Sequence, residues 1–363
     1  NGETLALTGM SISDNEASDA RGMIRVNGGM LTVEDSSFTG NAGVLGGALN
    51  LVTAEEGTKI SNTTFSGNEA GSHGGAAYVT GGTVAFENVS FSGNKAGLQG
   101  GALEIVGGKD VPTTVTLKDV TFSGNSSTMP QGADKTNGFS GGAVMVNSAN
   151  TKLTGENVVF TGNKAETSNG GALAVANGGE ASIVGGSFSA NSAATGGAVG
   201  LWNGTATFTD VDFRNNTATG WGGAVRADNE STIKFAAVEK DVVIAGNTAG
   251  DADTDTGKKY GYSGGFLHLQ AGSDATFNVA EDRTMTIGTS ASAKNVDTIT
   301  SVENTSTINK TGDGKLVINS STEAFAGTFN VQGGSVELAT GIGEFSILNI
   351  AKGSEQDSEA TSS

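Results

Sequence analysis

FSGNKAGLQGGALEIV, Phe91–Val106, recurs along the chain in close copies: FTGNAGVLGGALNLV from Phe38, FSGNEAGSHGGAAYV from Phe65, FTGNKAETSNGGALAV from Phe160 and FSANSAATGGAVGLW from Phe188. The first half, F-x-x-N, starts at Phe38, Phe65, Phe91, Phe122, Phe160, Phe188 and Phe213, with degenerate copies at Ile12 and Ile244. Successive starts lie 26, 27, 26, 31, 38, 28, 25 and 31 residues apart, so the unit is about 26 residues and the longer steps carry insertions. The second half, G-G-A followed by an apolar residue, begins at Gly46, Gly74, Gly100, Gly141, Gly170, Gly196 and Gly222, and ends in a divergent GGFL at Gly264.

Each unit contains three short strand signals. In GGALEIV, Leu103 and Ile105 are two residues apart and share a face. An alternating run such as TVAF or VTLK follows, and a third strand ends on the Phe. Three residues before the Phe stand Asp35, Asn62, Asn88, Asp119, Asn157, Gly185 and Asp210, residue types that tolerate a left-handed bend between strands. No stretch has a helical period with caps. A unit this small cannot bury a face alone, so it must stack on its neighbours with strands in parallel. The sequence therefore predicts an all-β, right-handed parallel β-helix, three short strands per coil of about 26 residues. The motif reads as a packing code. Phe38, Phe65, Phe91, Phe122, Phe160, Phe188 and Phe213 point inward and stack. Asn41, Asn68, Asn94, Asn125, Asn163, Asn191 and Asn216 form an amide ladder at a turn, having both donor and acceptor. The paired Gly permit positive φ and close backbone approach.

Composition agrees. Of 363 residues 58 are Gly and only 36% are hydrophobic, which suits a thin, elongated core. The net charge of −18 disfavours nucleic acid and anionic membranes as partners. Cysteine is absent, which excludes disulfides and thiolate chemistry. No run of ~18 apolar residues reads as a membrane-spanning helix. The chain reads as a fragment of a longer protein. Residues 1–350 form one β-helix, with regular coils over 1–265, irregular coils over 266–350, and a disordered tail over 351–363.

Over about residues 1–265 these motifs resemble the chlamydial polymorphic membrane proteins, whose passengers repeat GGA(I/L/V) and FxxN. Thr311–Ala339, TGDGKLVINSSTEAFAGTFNVQGGSVELA, is similar to a strand repeat of autotransporter passengers. The resemblance implies a β-helix carried to the bacterial surface by a C-terminal outer-membrane barrel absent from this fragment. It also implies adhesion to a host-cell or bacterial surface protein or glycan; self-association stays open. A passive stalk is the alternative reading, and a carbohydrate-active β-helix enzyme a second.

Chemistry is sparse. The outward slot of the GGA strand holds, coil by coil, Asn50, Tyr78, Glu104, Met145, Ala174, Gly200, Arg226 and His268, with no two acids adjacent. That leaves no carboxylate pair for acid–base work, and the expectation is no enzyme and no cofactor. His73 and His268 are about seven coils apart, and His73 is expected to be solvated. Asp251, Asp253 and Asp255 mimic the first ligands of an EF-hand, but Tyr262 stands where its Glu belongs, so the segment is a solvated loop or at most a weak Ca²⁺ site. Two insertions, Ser126–Ser140 and Thr248–Ser263, enter the coil at the same corner. Met129, Pro130 and Phe139 in one, Tyr260 and Tyr262 in the other, with Trp221 between, are candidates for one binding edge. Trp202 also sits by a turn.

Overall fold

A computed structural model describes residues 3–17, 21–107, 110–129, 139–250, 263–289, 296–302, 305–320, 325–338, 347–351 and 355–357. Within them every strand pairs in parallel with its counterpart one coil away, and no helix occurs. The chain is a parallel β-helix. One coil shows the pattern: Leu103–Val106 is the GGA strand, Thr113–Lys118 the middle strand and Thr121–Ser123 the Phe strand. Leu103 pairs with Ala77 below and Val144 above, and Phe122 pairs with Phe91 and Phe160.

A fourth short strand completes the coil. The linker between the Asn and the paired Gly, Lys95–Ala96 in this coil, pairs with Glu69–Ala70 and Ser126–Ser127. Eight such linkers make a second parallel sheet. They are only two to six residues long and lack β-branched alternation, so they give no strand signal in the sequence.

The core is built from files of identical positions. Phe38, Phe65, Phe91, Phe122, Phe160, Phe188 and Phe213 stack with ring centroids 4.5–5.0 Å apart and planes within 10° of parallel. The 38-residue step from Phe122 to Phe160 keeps this stacking, so the insertion does not break register. Asp35, Asn62, Asn88, Asp119, Asn157, Gly185 and Asp210 all have positive φ, between 48° and 70°, and make the bend before the Phe strand.

Fully buried Asn residues form a continuous ladder from Asn41 to Asn247. The amide of Asn94 is typical: Nδ2 donates to Phe65 O and to Asn125 Oδ1, each at 3.0 Å, and its backbone N donates to the same Asn125 oxygen. Two donors facing Oδ1 and a carbonyl facing Nδ2 fix the orientation of each amide. From rung to rung, every Asn donates to the Oδ1 of the next one toward the C-terminus. The last, Asn247, donates its backbone N and Nδ2 to Asp297 Oδ1 at 2.9 Å, and Gly246 N donates to Asp297 Oδ2. A carboxylate accepts without needing to donate, so it terminates the ladder. Burial raises the Asp297 pKa; the donations from Asn247 and Gly246 pull it down without cancelling that effect.

The paired Gly have separate reasons. Gly100 has φ +62°, and a Cβ on Gly101 would overlap the carbonyl oxygen of Gly142. The chain turns sharply there because two backbones touch with no side chain between them.

Past Ile299–Ser301 the GGA file stops among the described residues, and the middle and Phe files continue alone through Thr307–Ile318 and Thr328–Leu338. In these coils Lys310 occupies an inward position beside Phe277 and sends its ammonium to the carbonyls of Thr311, Gly312 and Gly333. Within the expected disordered tail, Glu355–Asp357 pairs with Ser335–Glu337 as a strand, because it still has a free sheet edge to extend.

Candidate functional site

At the paired Gly the coil turns so that the linker folds back beside the GGA strand. The residue before the first Gly and the outward residue of the strand then face each other across a re-entrant corner. Asn50 Nδ2 donates across it to Leu45 O, and His73, Gln99, Asn169, Thr195 and Trp221 all make contacts there. The outward slot is thus outside the core yet covered. Asn50, Glu104, Met145, Ala174 and His268 are all buried, which corrects the expectation of an exposed strip. Linker and strand meet at an angle, and that angle shields the slot.

Three environments follow one another along the corner. The first joins His73, Tyr78 and Glu104. Glu104 is 2% exposed and its Oε2 lies 2.7 Å from His73 Nδ1. His73 is therefore a paired histidine rather than a solvated one. Burial alone lowers its pKa, but the hydrogen bond to Glu104 and the negative charge of Glu104 outweigh that, leaving the pKa above 6.5. Burial, with the same charge, pushes the Tyr78 phenol up to about 12.

The second environment is apolar. In the adjoining coils the slot holds Met145, Ala174 and Gly200, and Phe139 from the first insertion fills the space they leave. Its ring lies 5.1 Å from that of Trp202, against Met145, Ala174 and Ala176. Gln99 Nε2 donates to Phe139 O at 2.7 Å and Ser140 Oγ donates to Leu98 O. Met129 is buried too, its carbonyl accepting from Thr167 Oγ1. As exposed anchors Met129 and Phe139 are corrected: both are buried, and Phe139 fills the apolar hollow that the slot residues leave.

The third environment joins Trp221, Arg226, Asp228 and His268. Arg226 Nη2 donates to Asp228 Oδ2 at 2.6 Å, and the guanidinium carbon lies 5.4 Å from the Trp221 ring centroid. Trp221 stacks on His268 at 5.7 Å. Trp221 is half-buried. Pro130, Tyr260, Tyr262 and the cation candidates Asp251, Asp253 and Asp255 lie outside the described residues. Among the described residues no group of three His, Asp or Glu is placed to hold a metal.

The pairs Glu104–His73 and Arg226–His268 were not evident from sequence, since their partners stand 31 and 42 residues apart. A usable signal existed: charged or aromatic residues both in the slot and just before the paired Gly.

Four segments of the chain, residues 62–80, 88–105, 157–176 and 210–228, match the Chlamydia polymorphic membrane protein repeat. Each begins at a positive-φ bend residue and ends in a GGA strand, so the matched unit is the part of the coil from the bend through the Phe strand and linker to the GGA strand, without the middle strand. These four segments are similar to polymorphic membrane protein repeats. The chain is also similar to the probable autotransporter YfaL of Escherichia coli (strain K12), 31% identical over 133 residues. That match spans 35% of this chain and 10% of the relative. No solved structure matches the chain. Each matched segment contains the Phe, the ladder Asn and the paired Gly of its coil, so the matched motif is the one that builds the stack, the ladder and the corner.

The two histidines give a direct test of this geometry. In a proton NMR titration, His73 titrates with a pKa above 6.5, and Glu104→Gln brings it down. His268, held to about 3 by burial and by the Arg226 charge, does not titrate between pH 5 and 8. A folded-state pKa above the unfolded one means that the His73–Glu104 pair stabilises fully below pH 6.5 and loses that contribution as pH rises through the folded value. A His73 pKa at or below 6.5 would show that the ion pair does not form.

Proposed function

We propose that the chain is a surface-displayed passenger segment of an autotransporter, acting as an adhesin that binds a host-cell or bacterial surface protein or glycan without catalysis. The single observation that supports it most is the coil-by-coil match to polymorphic membrane protein repeats, joined by the similarity to an autotransporter. The ladders make a rigid scaffold, and the two insertions enter it at the corner described above. Rigid scaffolds with variable insertions commonly carry recognition.

The second reading, a passive stalk, is favoured by the burial of Met129 and Phe139, which pack against the coil instead of facing outward. Binding of the purified chain to cells and to a glycan array separates the two. The adhesin is expected to bind saturably. Replacing residues 251–262 by a short Gly-Ser linker is expected to lower binding while leaving the melting temperature unchanged. A folded chain that binds no surface is a stalk, and progressive shortening of an arrayed glycan would reveal an enzyme.

A further inference from the structure

We propose that the corner at Trp221, Arg226 and His268 is a saccharide site that receives an uncharged hydrogen-bond acceptor, the acetamido carbonyl of an N-acetylhexosamine being the fitting group. The proposal deepens the adhesin reading by giving it a ligand class and a place.

Three buried polar atoms in this one cluster lack a hydrogen-bond partner: Trp221 Nε1, Arg226 Nε and His268 Nε2. Buried polar groups are nearly always paired, so three unmet ones within one cluster of contacting residues point to a missing partner. Arg226 and His268 are opposite each other in register on adjacent strands, and Trp221 contacts both. The indole and guanidinium nitrogens can only donate. His268 is neutral, and its Nδ1 lies 2.8 Å from Thr300 Oγ1. The tautomer in which the Thr300 hydroxyl donates to Nδ1 carries its proton on Nε2, and the proposal uses that tautomer. The two fixed donors, Trp221 Nε1 and Arg226 Nε, require an acceptor, and His268 Nε2 joins them in that tautomer.

Charge selects which acceptor. The Arg226 cation is already balanced by Asp228 at 2.6 Å, and the chain carries a net charge of −18, so an anion finds no spare positive charge. Polarity selects the ligand class. Arg226 Nη1 donates to Thr195 Oγ1 and Asn169 Oδ1, and Nη2 to Gln270 Oε1, which holds the guanidinium in place. Those neighbours are polar and offer no aliphatic wall for a peptide side chain. They suit a hydroxyl-rich ligand that both donates and accepts. The three atoms lie beneath the surface while the Trp221 and Arg226 side chains are partly exposed, so the proposal requires the indole edge to shift as the carbonyl enters.

The test reads the donor directly. The chain has two Trp, hence two indole N–H signals in a ¹⁵N-correlated NMR spectrum, assigned with Trp221→Phe. Titration of the unmodified chain with N-acetylglucosamine is expected to shift the Trp221 indole signal saturably and leave that of Trp202 in place. Arg226→Lys, which keeps the charge opposite Asp228 but removes the Nε–H, is expected to weaken binding by about tenfold or more. His268→Phe, which keeps a ring against Trp221, provides a second variant with the same expected direction. No saturable shift at ~100 mM sugar, far above ordinary sugar-site constants, would overturn the proposal and leave buried water as the partner. A shift with N-acetylneuraminic acid but not with N-acetylglucosamine would overturn the uncharged-acceptor assignment. Cell binding by a chain that fails this titration would leave the adhesin reading intact and sink only the site.

Discussion

Phe91→Ala lowers the unfolding free energy by about 3–5 kcal/mol, the range for truncating a fully buried Phe. Phe91 is 0% exposed and stacks at 4.9 Å on both Phe65 and Phe122, with Phe86 edge-on at 5.5 Å. The alanine leaves a ring-sized gap inside a file that has no other residue to close it. Because each coil contacts only its neighbours, the loss is local. Hydrogen exchange is expected to accelerate between about residues 65 and 122 and to stay protected in the coils around Thr232–Ala237. Chemical denaturation with an unchanged midpoint would mean that the Phe file does not carry the core.

Asn125→Ala is the second large effect, roughly 2–5 kcal/mol, since it strands several buried polar groups at once. Asn125 Nδ2 donates to Phe91 O and Asn163 Oδ1, while its own Oδ1 accepts from Asn94 N and Nδ2. All of these lie out of reach of water, so none of the lost bonds is replaced. Asn125→Asp is expected to be at least as damaging at neutral pH. A carboxylate could still accept from Asn94, but its other oxygen would face the Phe91 carbonyl and Asn163 Oδ1 with no proton to share. The comparison variant is Asn88→Gly, which keeps the positive φ of the bend and removes only the exposed donation of Asn88 Nδ2 to Asn62 Oδ1; there the loss stays below ~1 kcal/mol. Equal losses at Asn88 and Asn125 would contradict the ladder. The same logic explains why an Asp closes the ladder at residue 297, where only acceptors are needed.

The coil was legible in the sequence because its determinants are local and periodic. An Asp or Asn three residues before the Phe can only mean a bend at that point, and Asp35, Asn62, Asn88, Asp119, Asn157 and Asp210 all take positive φ. Leu103 and Ile105, two residues apart, both face the core, as a strand period demands. Repetition then aligns like with like, whatever the insertion between them, and that alone places Phe122 on Phe160.

The corner was not legible in that way. Whether Glu104 faces solvent or His73, and whether Phe139 projects or folds over Ala174, depends on the angle at which linker and GGA strand meet. It also depends on which coils are adjacent in space. Neither quantity is written in any one repeat. The linker strand itself is held by pairing with the coils above and below, with Lys95 opposite Glu69 and Ser126, rather than by its own residue preferences. By itself, then, the sequence determined the repeat, the bends and the inward files, because backbone preference and apolar spacing act within a few residues. Only the tertiary structure decided which outward side chains are covered and which partners they meet, because burial at the corner comes from neighbouring coils and not from the residue's own repeat.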